Sequence, residues 1–173
     1  GCGVIAPCHA RCLTELEEAR LVAVCDIMEA KAHRLAETYP ADVFRDYNEM
    51  FRRKDIDIVI VATTSGLHAE VGIAAAQAGK HVLVEKPMDV SLAKADALIA
   101  ACDKAGVKLG VISQHRFDFA SQDLKSAIAQ GKLGKLNFCG SYTQWYRAQG
   151  YYDSSSWRGT WALDGGGALM NQS

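Results

Sequence analysis

Over residues 1–116 the chain alternates short apolar runs with longer Ala-rich or amphipathic segments. The runs are apolar at nearly every position, which is typical of parallel strands covered by helices on both faces; a half-solvated strand would alternate apolar and polar residues. The pattern therefore predicts an α/β fold in which crossover helices join parallel strands. The predicted strands are 21–25, 58–62, 81–84 and 108–112, with a shorter one near 43–44.

The segments between the strands predict helices whose ends carry recognisable start and stop residues. Pro7 suits a first helical turn, and Ser91 can cap a helix that starts at Leu92. Gly79 and Gly106 stand where glycine commonly ends a helix. The predicted helices are 7–18, 29–39, 47–52, 67–78 and 92–105.

The pattern changes after Arg116. One more helix is predicted over 123–130, ended by Gly131, and residues 136–146 then mix polar, apolar and aromatic side chains. Such mixing is typical of a strand in a more open sheet than the one before it. We therefore predict a first domain over residues 1–118 and the beginning of a second over 119–173.

Composition excludes some partners. The 19 Lys and Arg nearly balance the 20 Asp and Glu, which leaves a net charge of -1 and no broad positive field for nucleic acid. The longest apolar run, 58–62, is far shorter than the roughly 20 residues of a membrane span, and no signal peptide is recognised. Six cysteines scattered through apolar contexts favour reduced thiols, so we expect a cytoplasmic protein.

The first candidate site is the opening glycine motif. The stretch from Gly1 to Ala6, with Gly3, Val4 and Ile5 inside it, has G-x-G-x-x-A spacing and leads into a predicted helix. Glycines allow a tight turn and a close approach to a pyrophosphate, and the helix N-terminus supplies free N–H groups. The motif predicts a dinucleotide site; a plain glycine-rich turn is the alternative.

Asp26 ends the next predicted strand, about 20 residues beyond the glycines, where a carboxylate would accept hydrogen bonds from a ribose. That carboxylate would repel a 2′-phosphate, and Ile27 and Met28 follow it instead of Arg or Ser. NAD is therefore favoured over NADP. The alternative is that Asp26 merely caps the helix predicted over 29–39.

Lys86 is the best catalytic candidate. It lies in Glu85-Lys86-Pro87, directly after a buried strand, and open α/β sheets bind ligands at the carboxyl ends of their strands. An amine there can exchange a proton with a substrate hydroxyl during hydride transfer. The alternative is an ordinary solvated lysine in a loop.

These motifs, in this order and spacing, resemble the glucose-fructose oxidoreductase / inositol dehydrogenase / rhizopine-catabolism (Gfo/Idh/MocA) family over nearly the whole chain. Further segments carry the resemblance: His9, Ala62 to Thr64 with His68, Gln114 to Phe117, Trp157-Arg158, and Gly165 to Asn171. The resemblance implies a Rossmann-type doubly wound parallel sheet. An α/β domain with a large, mostly antiparallel open sheet would follow it.

The resemblance also implies roles. Lys86 would take part in proton transfer, and Trp157, Arg158 and Asn171 would lie near the substrate. The other implied residues would contact the cofactor; they are Gly1, Gly3, Val4, Ile5, Asp26, Thr63, Thr64, His68, Glu85, Lys86, Gln114 and Arg116.

Two departures from the family pattern stand out. Asn171 occupies a position that is often Asp, and an amide can orient a sugar hydroxyl but cannot carry negative charge. The chain also starts without the expected first strand and ends before a catalytic His could follow. We therefore expect a fragment that is less stable than a longer chain and inactive alone.

The leading hypothesis is an NAD-dependent dehydrogenase that oxidises a secondary alcohol of a sugar, sugar acid or cyclitol and forms a homodimer or homotetramer. A glycoside hydrolase that uses NAD for a transient oxidation, and a non-catalytic NAD-binding regulator, remain alternatives. No metal is expected, because Cys8, His9 and Cys12 have no second ligand pair in sight.

Overall fold

A computed structural model describes residues 1–172, in which the predicted strands and parallel pairing are confirmed. The strands are β1 Ala23–Cys25, β2 Asp42–Phe44, β3 Ile58–Val61, β4 His81–Val84 and β5 Leu109–Val111. β1 pairs with β2 in one sheet, and β3, β4 and β5 form a second sheet in that order. Because every pair is parallel, the carboxyl ends within each sheet lie at one edge.

Helices connect successive strands and account for most of the remaining regular structure. They are α1 Ala6–Thr14, α2 Glu29–Thr38, α3 Tyr47–Phe51, α4 His68–Gln77, α5 Leu92–Ala105, α6 Phe119–Ala129, α7 Gln149–Asp153 and α8 Trp161–Asp164. Short turns of other helix types cover Ser65–Leu67, Gln114–Phe117 and Ala168–Gln172. None of the helices within residues 1–172 has the length and hydropathy to cross a bilayer.

Two helix ends differ in detail from the prediction. α1 ends at Thr14 rather than Glu18, and the acidic residues that follow would be unfavourable at the negative end of a helix. Ser91 occupies the position before α5, but its hydroxyl makes no capping bond. The Asp89 carboxylate instead accepts from the Ser91 N–H at 3.1 Å. Gly106 ends α5 in the left-handed conformation, as predicted.

The first residues of the chain lie between the two sheets. The Cys2 N–H donates to the Asp26 carboxylate just after β1 at 2.8 Å. On the other side, a Cβ added to Gly1 would lie 2.5 Å from the Ala62 carbonyl oxygen just after β3. The glycine motif therefore reaches the carboxyl ends of β1 and β3, and among residues 1–172 no strand pairs with both.

Each sheet contributes to its own cluster of buried apolar side chains. The larger cluster joins β3 and β4 to α4 and α5 and includes Val61, Val84 and Leu98. The smaller one joins α1, β1 and α2 and includes Val24 and Leu35. The candidate residues that follow β1 and those that follow β3 and β4 are therefore held by different clusters.

The second half of the chain differs more from the prediction. α6 starts at Phe119, four residues before the predicted helix, while 136–146 has no regular secondary structure. Phe138 and Tyr142 in this segment are 87% and 90% exposed. A strand is stabilised by hydrogen bonds to a neighbouring strand, and no segment within residues 1–172 provides one here. The large antiparallel sheet thus remains a prediction.

Candidate functional site

The glycine motif leaves the start of α1 accessible. Ile5 precedes the helix without a side-chain capping bond, Pro7 lies in the first turn, and Val4 is 89% exposed. A Cβ built on Gly3 would meet no atom within 4 Å in the described residues other than its chain neighbours. Unfilled space beside the uncapped N-terminus of a helix suits the phosphates of a dinucleotide, because N–H groups and the helix dipole both favour an anion.

Asp26 lies beside this space. Its two carboxylate oxygens accept from the N–H groups of Cys2 and Met28, each at 2.8 Å. Asp26 does not cap α2, since the capping position belongs to Met28. Each carboxylate oxygen can accept more than one hydrogen bond, so the group retains capacity for the hydroxyls of a ribose.

Glu85 links α1 to the segment that carries Lys86. Its Oε1 lies 2.8 Å from His9 Nε2, and its Oε2 accepts from the Lys86 N–H at 3.1 Å. Burial alone would raise the pKa of Glu85, but the hydrogen bond and charge of His9, together with the Lys86 N–H and charge, outweigh burial and lower it. The ionised carboxylate therefore holds α1 and the Lys86 backbone together.

The lowered pKa predicts an acid-dependent effect at this contact. A carboxylate with a folded-state pKa below its ordinary value stabilises the fold above that ordinary value, and the contribution disappears as pH falls through the lowered pKa. We expect His9→Ala to remove most of this contribution and to raise the pH of half-unfolding by a fraction of a pH unit. Circular dichroism across an acid titration measures the shift.

The matched control is Arg11→Ala, since Arg11 lies on the same helix but pairs only with exposed Glu15 at 3.9 Å. Surface pairs of this kind contribute little to stability. Equal acid midpoints for His9→Ala and Arg11→Ala would contradict the role assigned to the His9–Glu85 contact.

His68 connects two loops of the site. It is 1% exposed, and its ring nitrogens lie 2.7 Å from the Pro87 carbonyl oxygen and 3.1 Å from the Thr63 carbonyl oxygen. The ring thereby joins the loop after β3, which holds Thr63 and Thr64, to the loop after β4. In the structure, His68 contacts loop backbone, so any effect on a cofactor would pass through these loops.

The Lys86 ammonium faces the far end of the chain. Its Nζ donates to the Asn171 backbone oxygen at 2.6 Å and to Asn171 Oδ1 at 2.9 Å. The Asn171 amide nitrogen in turn donates to Asp164 Oδ1 at 2.8 Å. Lys86 is therefore held by oxygen acceptors and is not a freely solvated loop lysine.

The other candidates are placed less centrally. Gln114 and Arg116 lie in an exposed turn beyond β5. Arg158 stacks over Tyr151 at 4.2 Å and over Trp157 at 5.0 Å, and it also donates to the Tyr151 hydroxyl. The Arg158 Nε is buried and has no hydrogen-bond partner among residues 1–172. The Tyr151 hydroxyl also accepts from Gln172, the neighbour of Asn171, at 2.7 Å.

The cysteines form no disulfide among residues 1–172. All six thiols are unpaired within the described chain. Burial raises the pKa of Cys25 to about 11 and also raises that of Cys2, so both stay protonated near neutral pH. Within residues 1–172, no three His, Cys, Asp or Glu side chains are grouped to hold a metal ion.

The main residue missed by the sequence reasoning is Asp164, which is 1% exposed. A carboxylate directly before three glycines was its only local signal, because its importance depends on burial, which appears only when α8 packs on the Ser65–Leu67 turn. The roles of His9 and Tyr151 were missed because they depend on contacts with Glu85 and Gln172, which lie 76 and 21 positions away in the chain.

Comparison with known proteins gives matches over both halves. Residues 1–113 match the GFO_IDH_MocA family, described as an oxidoreductase family with an NAD-binding Rossmann fold. Residues 121–173 match a GFO/IDH/MocA C-terminal domain.

Individual relatives are similar to different extents. The crystal structure of the WlbA dehydrogenase from Bordetella pertussis, in complex with NADH and UDP-GlcNAcA, is 37% identical; the match covers 99% of this chain with a TM-score of 0.93. Myo-inositol 2-dehydrogenase of Thermotoga maritima is 34% identical over 78% of this chain. An NADP(+)-dependent scyllo-inositol 2-dehydrogenase of Bacillus subtilis is 35% identical over 75%. The matches span 50%, 41% and 36% of these three proteins.

Proposed function

The chain belongs to the Gfo/Idh/MocA oxidoreductase family, and on that premise we propose that it is part of an NAD-dependent dehydrogenase that oxidises a secondary alcohol of a sugar. The observation that carries the proposal is the position of Lys86, which follows β4 at the edge reached by the glycine motif. Its ammonium is held by two Asn171 oxygens at 2.6 and 2.9 Å.

The site residues would bind the cofactor and transfer the substrate proton. NAD, when bound, supplies the acceptor for the hydride that leaves the alcohol carbon. Gly3 and the start of α1 would hold the phosphates, and Asp26 would accept from the ribose. Lys86 in its amine form takes the proton of the substrate hydroxyl, so the alcohol becomes a carbonyl as C–H and O–H bonds break. Asn171 accepts from the ammonium that results.

Among sugar substrates we propose a nucleotide-linked sugar acid over a free cyclitol. The match to the protein bound to UDP-GlcNAcA extends over 99% of the chain and thus includes Arg158 and Asn171, whereas the inositol dehydrogenase from T. maritima matches 78%. Arg158 adds a guanidinium whose buried Nε finds no partner in the part of the chain that the structure describes. Arginine binds carboxylates with a favourable forked geometry, which supports an acidic sugar.

A substrate panel tests the proposal on the full-length gene product. UDP-GlcNAcA, UDP-GlcNAc and myo-inositol are each incubated with NAD, while NADH absorbance and loss of two hydrogen atoms from the substrate are followed. We expect oxidation of UDP-GlcNAcA and little of its analogue without the carboxylate. Hydrolysis without net oxidation would favour the glycosidase alternative, and NAD binding without any reaction would favour the regulator.

Cofactor choice is tested at Asp26. We expect Asp26→Ser to raise the ratio of NADP to NAD turnover by about 10- to 100-fold, because the variant loses a charged ribose acceptor and the repulsion of a 2′-phosphate. Steady-state kinetics with both cofactors measure the ratio.

Asp46→Ser is the matched control. Asp46 follows β2 and accepts from the Asn48 N–H at 2.8 Å, a turn similar to that of Asp26, but it caps α3, whereas Asp26 accepts from the Cys2 N–H of the glycine motif. An equal shift of the ratio in both variants would contradict the assignment of Asp26 to the ribose.

Location and assembly are also part of the proposal. Unpaired thiols support a reducing compartment such as the cytoplasm.

The exposed aromatic residues of 136–146 support association of copies into a homodimer or homotetramer. Light scattering of the full-length gene product tests this assembly.

A further inference from the structure

Asp164 is a buried carboxylate with two donors. It ends α8 and is 1% exposed. Its Oδ2 accepts from the Gly159 N–H at 2.8 Å, and its Oδ1 accepts from the Asn171 amide nitrogen at the same distance. An ionised carboxylate can only accept hydrogen bonds, so both neighbours must present N–H groups.

This requirement fixes the orientation of the Asn171 amide. If the amide nitrogen must face Asp164, then Oδ1 must point the other way, where it lies 2.9 Å from Lys86 Nζ. The opposite orientation would place two oxygens in contact and would turn an NH₂ group toward the Lys86 ammonium. Asp164 thus determines which side-chain atom of Asn171 faces the Lys86 ammonium, although its own hydrogen bond is to Asn171.

The local backbone keeps Asp164 in place. α8 packs on the Ser65–Leu67 turn, where a Cβ added to Gly66 would lie 2.7 Å from the Ala162 carbonyl oxygen. The next three residues, 165–167, are glycines with φ between 61° and 84°, a region that favours glycine. They turn the chain sharply, so Asn171 returns toward both Asp164 and Lys86.

Charge explains why an amide suits position 171. A carboxylate there would put two anionic groups in contact at a buried position, and like charges so close cannot both stay ionised without cost. The present arrangement holds one carboxylate, one neutral amide and one ammonium in series.

We propose that Asp164 is a positioning residue that orients the Asn171 amide and so presents its oxygen to Lys86 during proton transfer. The inference rests on the proposed function for its effect on turnover. The orientation itself concerns three side chains of this chain and can be measured without turnover.

Exchanging the two groups gives the test. Three variants of the full-length gene product are compared with UDP-GlcNAcA and NAD: Asp164→Asn, Asn171→Asp, and both together. We expect each single variant to lower kcat by about 100-fold, the effect of a misplaced reacting group. The double variant keeps one carboxylate and one amide in exchanged positions and should recover at least about 10-fold of the loss.

Two controls accompany these variants. Asp153→Asn removes an exposed carboxylate that accepts from Gln149 at 2.9 Å, and it should leave kcat unchanged. The NAD dissociation constant and the circular dichroism spectrum should stay near wild type in all variants. An unchanged kcat in Asp164→Asn, or a double variant no faster than the single ones, would overturn the inference.

A second readout separates this inference from the proposed function. Labelling of Lys86 by acetic anhydride, followed by mass spectrometry, reports how often its amine is neutral. We expect several-fold faster labelling in Asp164→Asn, where an NH₂ group faces the amine, and a rate at or below wild type in the double variant, where a carboxylate faces the ammonium.

The kinetic and labelling results distinguish failure of the inference from failure of the proposed function. If no sugar is oxidised but labelling follows this pattern, the proposed function fails and the inference holds. Equal labelling in all variants overturns the inference even if oxidation is seen. Should Asp164→Asn fail to fold, the test is the comparison of kcat between Asn171→Asp and the double variant. A double variant whose kcat is no higher than that of Asn171→Asp overturns the inference.

Discussion

We expect Lys86→Ala to lower the turnover of the full-length gene product by about 10²- to 10⁴-fold, the range that a positioned acid or base contributes. The affinity for NAD should change little, because the phosphates and ribose are assigned to the start of α1 and to Asp26. The wild-type ammonium is held by Asn171 at 2.6 and 2.9 Å, and the alanine variant has no amine to occupy that position. Kinetics of substrate oxidation and a fluorescence titration with NAD measure the two effects.

Two further variants sharpen this result. Lys104→Ala removes an exposed lysine from the last turn of α5 and should leave turnover intact. Lys86→Arg keeps a positive charge but cannot release a proton at ordinary pH, so it should remain nearly as slow as Lys86→Ala. Wild-type turnover in Lys86→Ala would refute proton transfer by this residue.

Leu98→Ala should lower the free energy of unfolding by about 3–5 kcal/mol, near the upper end for a buried leucine. Leu98 is fully buried where α5 packs against α4. A Cβ added to Gly72 would lie 2.8 Å from a Leu98 methyl group, so the leucine fills the space over a residue that has no side chain. Neighbouring atoms cannot easily fill the cavity left by alanine. Urea unfolding measures the change.

Ile99→Ala is the control for this prediction. Ile99 is the next residue of the same helix but is 42% exposed. Loss of a half-solvated side chain should cost much less than loss of Leu98. A similar cost for both variants would show that the packing of Leu98 over Gly72 is not what stabilises α5.

The parallel sheet could be predicted because its signal is local. Strands such as 58–61 and 81–84 are apolar on both faces, and glycines such as Gly106 mark helix ends within a few residues. The segment 136–146 misled the same reasoning, because a mixed polar and aromatic pattern predicts a strand only if a partner strand lies beside it. Ser91 is less predictable: it precedes α5 as expected, but its hydroxyl makes no capping bond, and its own N–H donates to the Asp89 carboxylate.

The candidate site could be predicted only in part. Lys86 and Asp26 each follow a strand, so their places at the carboxyl ends of parallel strands could be predicted from the pattern of the chain. The contact between Lys86 and Asn171 joins residues 85 positions apart, and no periodicity of the sequence encodes it. Asp164 acts through a hydrogen bond whose importance depends on burial, a property that appears only when α8 packs on the Ser65–Leu67 turn.

The separation of the two sheets predicts that they differ in local unfolding. The β1–β2 pair has a small core of its own, and the β3–β5 sheet has a larger one. The backbone amides of the β3–β5 sheet should therefore be protected from hydrogen exchange more strongly than those of the β1–β2 pair. A dinucleotide that touched both Asp26 and the Lys86 edge would bridge these units. Its binding would slow exchange in the weaker unit most and would make the two units unfold cooperatively.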